Sequence, residues 1–169
     1  MRHLYSAALY LVLPFLLLRL LWRSRRTPAY RRRLRERFGW IDTTTISKPV
    51  IWVHAVSLGE VRAAVPLVEA LRLSHPEYSL VVTTTTPTGS EQARALFGDR
   101  VFHSYMPWDL PGPVARFLRR VRPHLLVLME TELWPNTIHY CRRAGCRLVL
   151  ANARLSERSA AGYARFSPL

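Results

Sequence analysis

An α/β domain with a Rossmann-like parallel sheet, preceded by an apolar membrane helix, is the fold this sequence predicts. Three observations predict it. Five short β-rich runs lie between residues 50 and 151, helical stretches separate them, and an apolar N-terminal run is followed by a block of arginines. Alternating short strands and helices form parallel sheets covered on both faces. About 20 apolar residues are enough to cross a bilayer core.

The apolar run extends from Leu4 to Leu18, is interrupted by Arg19, and continues through Leu20, Leu21 and Trp22. One helix over 4–22 is expected to stay in the membrane, bent but not stopped by Pro14, with Arg19 reaching toward the headgroups. Arg23, Arg25, Arg26, Arg31, Arg32, Arg33, Arg35 and Arg37 follow, against the single acid Glu36. Basic flanks stay on the cytoplasmic side, so the remainder is expected at the cytoplasmic face. A cleaved signal peptide carries its charge before the apolar run; here the order is reversed. A spanning anchor is preferred to a helix lying in the interface, and both readings stay open. The expected division is a membrane anchor over 1–22, a basic juxtamembrane segment over 23–48 and a Rossmann-like domain over 49–169.

The net charge is +14, from 25 basic and 11 acidic residues, and every basic residue except Lys48 is Arg. Such a balance admits nucleic acid, an anionic membrane or a phosphorylated substrate as partner. The position of the arginines, directly after an apolar segment, favours an anionic membrane surface, and no nucleic-acid motif is present. Cys141 and Cys146 have no second pair to complete a zinc site and read as structural thiols. No metal or cofactor is expected.

Val50–His54 is the first strand candidate, followed by a helical pattern through Val61, Ala64, Leu67, Val68 and Leu71. Leu80–Thr83 is β-branched, and Thr88 with Glu91 has the spacing of a capping box opening a helix to about Phe97. Val101–Tyr105 is a third strand candidate and Pro113–Val121 a helix with Pro in its first turn. Leu125–Met129 is a fourth, strongly apolar strand, Trp134–Ala144 a helix closed by Gly145, and Arg147–Ala151 a fifth strand.

Parallel sheets bind ligands beyond the carboxyl ends of their strands, so the loops after these strands hold the candidates. After His54, Gly59 permits close backbone approach and Glu60 falls at a helix N-terminus, where the dipole favours a carboxylate. A first-turn Glu also serves its own helix, and that reading stands beside a catalytic one. No nucleophile motif surrounds Ser57. Thr83–Ser90 offers hydroxyls and a Gly that can hold phosphate or sugar oxygens, or simply strand followed by cap. Glu130 and Glu132 lie directly after an apolar strand, as catalytic or orienting groups or as helix-start acids. Arg154 follows the fifth strand as an anion ligand or a solvated surface residue.

Together these segments resemble the 3-deoxy-D-manno-octulosonic acid (Kdo) transferase family. The motifs are H-A-V-S-L-G-E at 54–60, T-P-T-G-S-E at 86–91, P-W-D-L-P at 107–111, M-E-T-E-L-W-P-N at 129–136 and A-N-A-R-L-S at 151–156, with P-A-Y-R-R-R at 28–33. The resemblance implies the N-terminal half of a glycosyltransferase-B fold. It implies transfer of Kdo from the donor CMP-Kdo to the lipid A precursor, by inverting chemistry with a general base, at the bacterial inner membrane. This half holds the lipid acceptor, and the donor site belongs to a second domain outside these residues; alone, this chain is expected to transfer nothing. By resemblance Glu60 is the base and Glu130 supports the transition state, with Glu132 as the other choice. Ser57, Gly59, Thr86, Glu132, Asn136 and Arg154 are the expected acceptor-binding residues. The alternative function is a non-catalytic lipid-binding fragment at the membrane surface.

Overall fold

A computed structural model describes residues 2–25, 28, 31, 33–46, 49–130 and 133–153. Among these, α1 (Arg2–Ser24) is followed by a one-turn α2 (Leu34–Arg37) and then by the alternating domain. Its elements are β1 (Val50–His54), α3 (Leu58–Ser74), β2 (Ser79–Thr84), α4 (Pro87–Phe97), β3 (Phe102–Tyr105), α5 (Pro111–Val121), β4 (Pro123–Met129), α6 (Pro135–Arg143) and β5 (Arg147–Ala151).

The five strands form one parallel sheet in the order β3-β2-β1-β4-β5. The sequence reading anticipated all five, within two residues at each end. Both faces of the central strands β1, β2 and β4 are covered because these strands are apolar on both sides, while Val149 and Leu150 of the edge strand β5 stay exposed. The odd residues Ile51, Val53 and Ala55 of the first strand and its loop pack with Val61, Ala64, Val68, Ala93 and Phe97 of α3 and α4. The even residues Val50 and Trp52 pack with Val114, Phe117, Leu118 and Cys141 of α5 and α6. Trp52 anchors the second layer: it is fully buried, its ring centroid lies 4.7 Å from that of Phe117, and its Nε1 donates to Thr83 Oγ1 at 2.8 Å. A buried Trp needs such a partner for its N–H. Pro66 lies inside α3, which continues through it.

Two local expectations are corrected. The helix after β2 starts two residues earlier than the Thr88/Glu91 pattern implied: Thr86 is its N-cap, accepting from Gly89 N at 3.0 Å, with Pro87 in the first turn. Thr caps well, and Pro loses no hydrogen bond at that position. The arginine block is also not wholly a lipid-facing surface. Arg37 is buried with its guanidinium 4.2 Å from the Tyr105 ring, and it donates to Thr85 O at 2.9 Å. Arg33 donates to His103 O at 2.8 Å, and Glu36 accepts from Tyr105 N at 2.8 Å and Ser104 Oγ at 3.0 Å. Alternating charges at 33, 36 and 37 thus strap this segment to the end of β3, which is charge–aromatic and charge–backbone pairing rather than a solvated face. Gly39 completes the strap. Its φ is +77°, and a Cβ there would sit 2.2 Å from Pro113 O.

Candidate functional site

The chain order 3-2-1-4-5 reverses direction between β1 and β4. The helices following β1 and β2 cover one face of the sheet, and those following β3 and β4 cover the other. The loops leaving β1 and β4 therefore diverge to opposite faces and open a crevice at the carboxyl end of the sheet, where α/β folds bind ligands. His54 pairs with Leu128 across that boundary. The loop carrying Ser57, Gly59 and Glu60 and the residue Glu130 consequently flank the same switch point. Strand order, which periodicity does not encode, brings them there.

Glu60 is part of a capping box. Ser57 is the N-cap of α3; its hydroxyl donates to Glu60 Oε1 at 2.9 Å and accepts from Glu60 N at 3.5 Å. Glu60 Oε2 accepts from Val56 N at 2.8 Å. The helix-start role is therefore real, and it fixes the carboxylate's direction. A carboxylate has about four acceptor positions, and two are occupied here, so the group keeps capacity for a further proton donor.

Gly59 is exposed in the first turn of α3, and a Cβ placed on it would meet only Ser57 Oγ, at 3.9 Å. Nothing among the described residues requires glycine there. Gly89 is the opposite case: its Cβ would lie 2.9 Å from Thr86 Oγ1 and 3.2 Å from Val56 O. The missing side chain lets the start of α4 press on the β1–α3 loop. Thr86 joins the same contact, since Thr85 N, Thr86 N and Thr86 Oγ1 all donate to Val56 O, at 3.0, 3.2 and 3.3 Å. Thr86 is thus a half-buried brace between two motif loops.

Glu130 ends β4 with φ +57°, and its N–H donates to Ala151 O at 2.8 Å. The left-handed conformation is unfavourable for a residue with a Cβ, and residues held so cluster at functional sites. Here the bond to β5 holds it in place. Asn152, after β5, has the same handedness, φ +53°.

Asn136 is fully buried and turned inward. Its Nδ2 donates to Asp109 O at 2.6 Å, and its Oδ1 accepts from Ser6 Oγ at 3.1 Å and Arg2 NH1 at 3.2 Å. Its amide is committed to the protein's own groups. Glu132 and Arg154 lie outside the described residues.

The reading missed Asp109. It sits just before α5, and its carboxylate caps α6, accepting from Asn136 N at 2.9 Å and from Thr137 N and Oγ1, both at 2.7 Å. A negative group at a helix N-terminus is doubly favoured. The P-W-D-L-P segment thereby holds the start of α6.

Comparison with known proteins agrees with the motifs. Residues 32–169 match the family model for 3-deoxy-D-manno-octulosonic-acid transferase (kdotransferase). The 3-deoxy-D-manno-octulosonic acid transferase of Haemophilus influenzae is 46% identical over 165 residues, covering 97% of this chain and 39% of that protein. A probable mitochondrial 3-deoxy-D-manno-octulosonic acid transferase of Arabidopsis thaliana is 36% identical over 156 residues, covering 92% of this chain and 35% of that protein. The Bordetella pertussis transferase is 42% identical over 114 residues, covering 64% of this chain and 26% of that protein. The chain spans about two-fifths or less of the length of these relatives. On the match over 32–169, this chain belongs to the Kdo transferase family.

Proposed function

We propose that this chain is the acceptor-side part of a Kdo transferase acting at the cytoplasmic face of a bacterial inner membrane. It receives the lipid A precursor and presents an acceptor hydroxyl to Kdo carried as CMP-Kdo by a further domain. The observation that supports this most directly is the placement of Glu60 and Glu130 on the two sides of the β1/β4 switch point.

A sugar hydroxyl is a weak nucleophile at neutral pH and needs a base during attack. In this reading the hydroxyl oxygen bonds to the anomeric carbon of Kdo, CMP departs with the bonding pair, and Glu60 takes the proton. The Val56 N–H and the Ser57 hydroxyl hold the carboxylate for that transfer. Gly59 leaves room for the acceptor at the start of α3, and Glu130 stabilises charge at the reacting centre from the opposite side. A rigid frame of this kind supplies orientation as well as proton transfer.

The test is a transfer assay with CMP-Kdo and the lipid A precursor, using the longer enzyme that carries this sequence as its N-terminal part. Kdo-modified lipid is the expected product. An enzyme that binds lipid vesicles and the precursor but forms no product would leave the non-catalytic lipid-binding reading in its place.

A further inference from the structure

The N-terminal helix has the length and composition of a membrane span: 23 residues, with a window of mean hydropathy 2.0. A span touches a soluble domain at one end only. Its other end lies about 30 Å away, across the hydrocarbon core. The helix here does not have that geometry.

Its first turn is docked on the domain. Ser6 Oγ and Arg2 NH1 bind Asn136 Oδ1, and the Arg2 guanidinium lies 5.7 Å from the centre of the Tyr140 ring. Ser6 is buried in this contact, and Ser24, about 27 Å further along the helix axis, is buried too. Between them Leu9, Leu13, Leu17 and Leu20 are partly shielded. Positions 6, 9, 13, 17, 20 and 24 recur at three- and four-residue intervals, which is one face of a helix. The opposite face is bare: Leu4, Leu11, Phe15, Leu18 and Trp22 are 64–77% exposed. So large a row of exposed apolar side chains needs a covering partner. Exposed Arg19, Arg23 and Arg25 sit at one end of it, which suits anionic headgroups.

We propose that α1 does not cross the bilayer but lies along its surface, clamped between domain and lipid. The Leu4/Leu11/Phe15/Leu18/Trp22 face is immersed in an anionic phospholipid interface, and both helix ends are on the domain's side. This rests on the membrane-surface part of the proposed function and not on the transfer chemistry.

The test uses the longer enzyme in sealed membrane vesicles of known orientation and a membrane-impermeant maleimide. His3→Cys marks the helix start and Asp99→Cys marks the domain; both positions are exposed, and the native Cys141 and Cys146 are buried. The expected result is that both variants label in the same vesicles and both are protected in vesicles of the opposite orientation. Labelling of His3→Cys only where Asp99→Cys is protected would overturn the in-plane helix and leave the membrane reading intact. Failure of the enzyme to sediment with vesicles would overturn both.

Discussion

Ser57 and Glu60 hold each other at the start of α3, the hydroxyl donating to the carboxylate at 2.9 Å while accepting from the Glu60 amide. This pairing lets the two roles of Glu60 be separated by experiment. Gln occupies the same capping-box position as Glu: in Glu60→Gln the amide oxygen can still accept from Val56 N, the amide nitrogen donates to Ser57 Oγ with that bond reversed, and the basicity is removed. The expected outcome is a fall in kcat of about 10²–10⁴-fold with a melting temperature close to that of the parent. Near-normal turnover in this variant would end the assignment of Glu60 as base and move it to Glu130.

Gly59→Ala isolates the acceptor contact. Ala is favoured over Gly within a helix by about 0.8–1 kcal/mol, and its methyl group meets no described atom closer than 3.9 Å. Stability should hold or rise. If the acceptor packs against this backbone, KM for the lipid acceptor rises while the melting temperature does not fall. An unchanged KM would place the acceptor elsewhere along the crevice.

Much of this fold was legible because period and punctuation agreed. Val50–His54 and Arg147–Ala151 were found to the residue, since β-rich runs bounded by loops leave little choice. What was not legible depends on partners far along the chain. Arg37 reads as one more cation in a basic block until β3 brings Tyr105 beneath it. Asp109 is one letter of the P-W-D-L-P motif in the sequence, yet its carboxylate caps a helix that begins 26 residues later. Asn136 reads as a polar motif residue at a strand-to-helix loop, and only the docking of α1 closes its amide off. The two carboxylates were legible as candidates. Their placement across the switch point followed from strand order, which periodicity does not encode.

Glu130→Gly tests the other side of the crevice. The residue sits at φ +57°, where a side chain costs about 1–2 kcal/mol relative to glycine. Removing it should relieve that strain, so the variant should melt at or above the parent temperature. On the proposed role of Glu130 in stabilising charge at the reacting centre, its kcat should nonetheless drop. A variant that is both less stable and fully active would make Glu130 a structural residue only.

Acid should destabilise the domain before its carboxylates titrate, because two histidines are folded in neutral. Complete burial pushes His54 down to about 4, opposed in part by its bond to the Thr83 carbonyl. Its Nδ1 lies 3.1 Å from Thr83 O and 2.9 Å from Thr83 Oγ1, and Nε2 has no partner among the described residues, so a second ring proton would be buried unpaired. Burial, then the nearby charges of Arg33 and Arg94, push His103 down to about 3. Arg33 can only donate, so His103 Nδ1 accepts from it at 3.3 Å and Nε2 faces Thr84 Oγ1 at 3.1 Å. Protonation would reverse the Arg33 contact. Both folded pKa values lie below the unfolded value of about 6.5, so the unfolded chain binds more protons as pH falls. The neutral rings contribute stability that is complete above about pH 6.5 and is lost as pH falls toward 4 for His54 and 3 for His103. Each should remove about 1.4 kcal/mol per pH unit once well below 6.5. Urea midpoints measured between pH 7 and 5 should therefore decline, and His103→Gln should flatten the decline. Midpoints constant across that interval would mean that neither ring is held neutral by the fold.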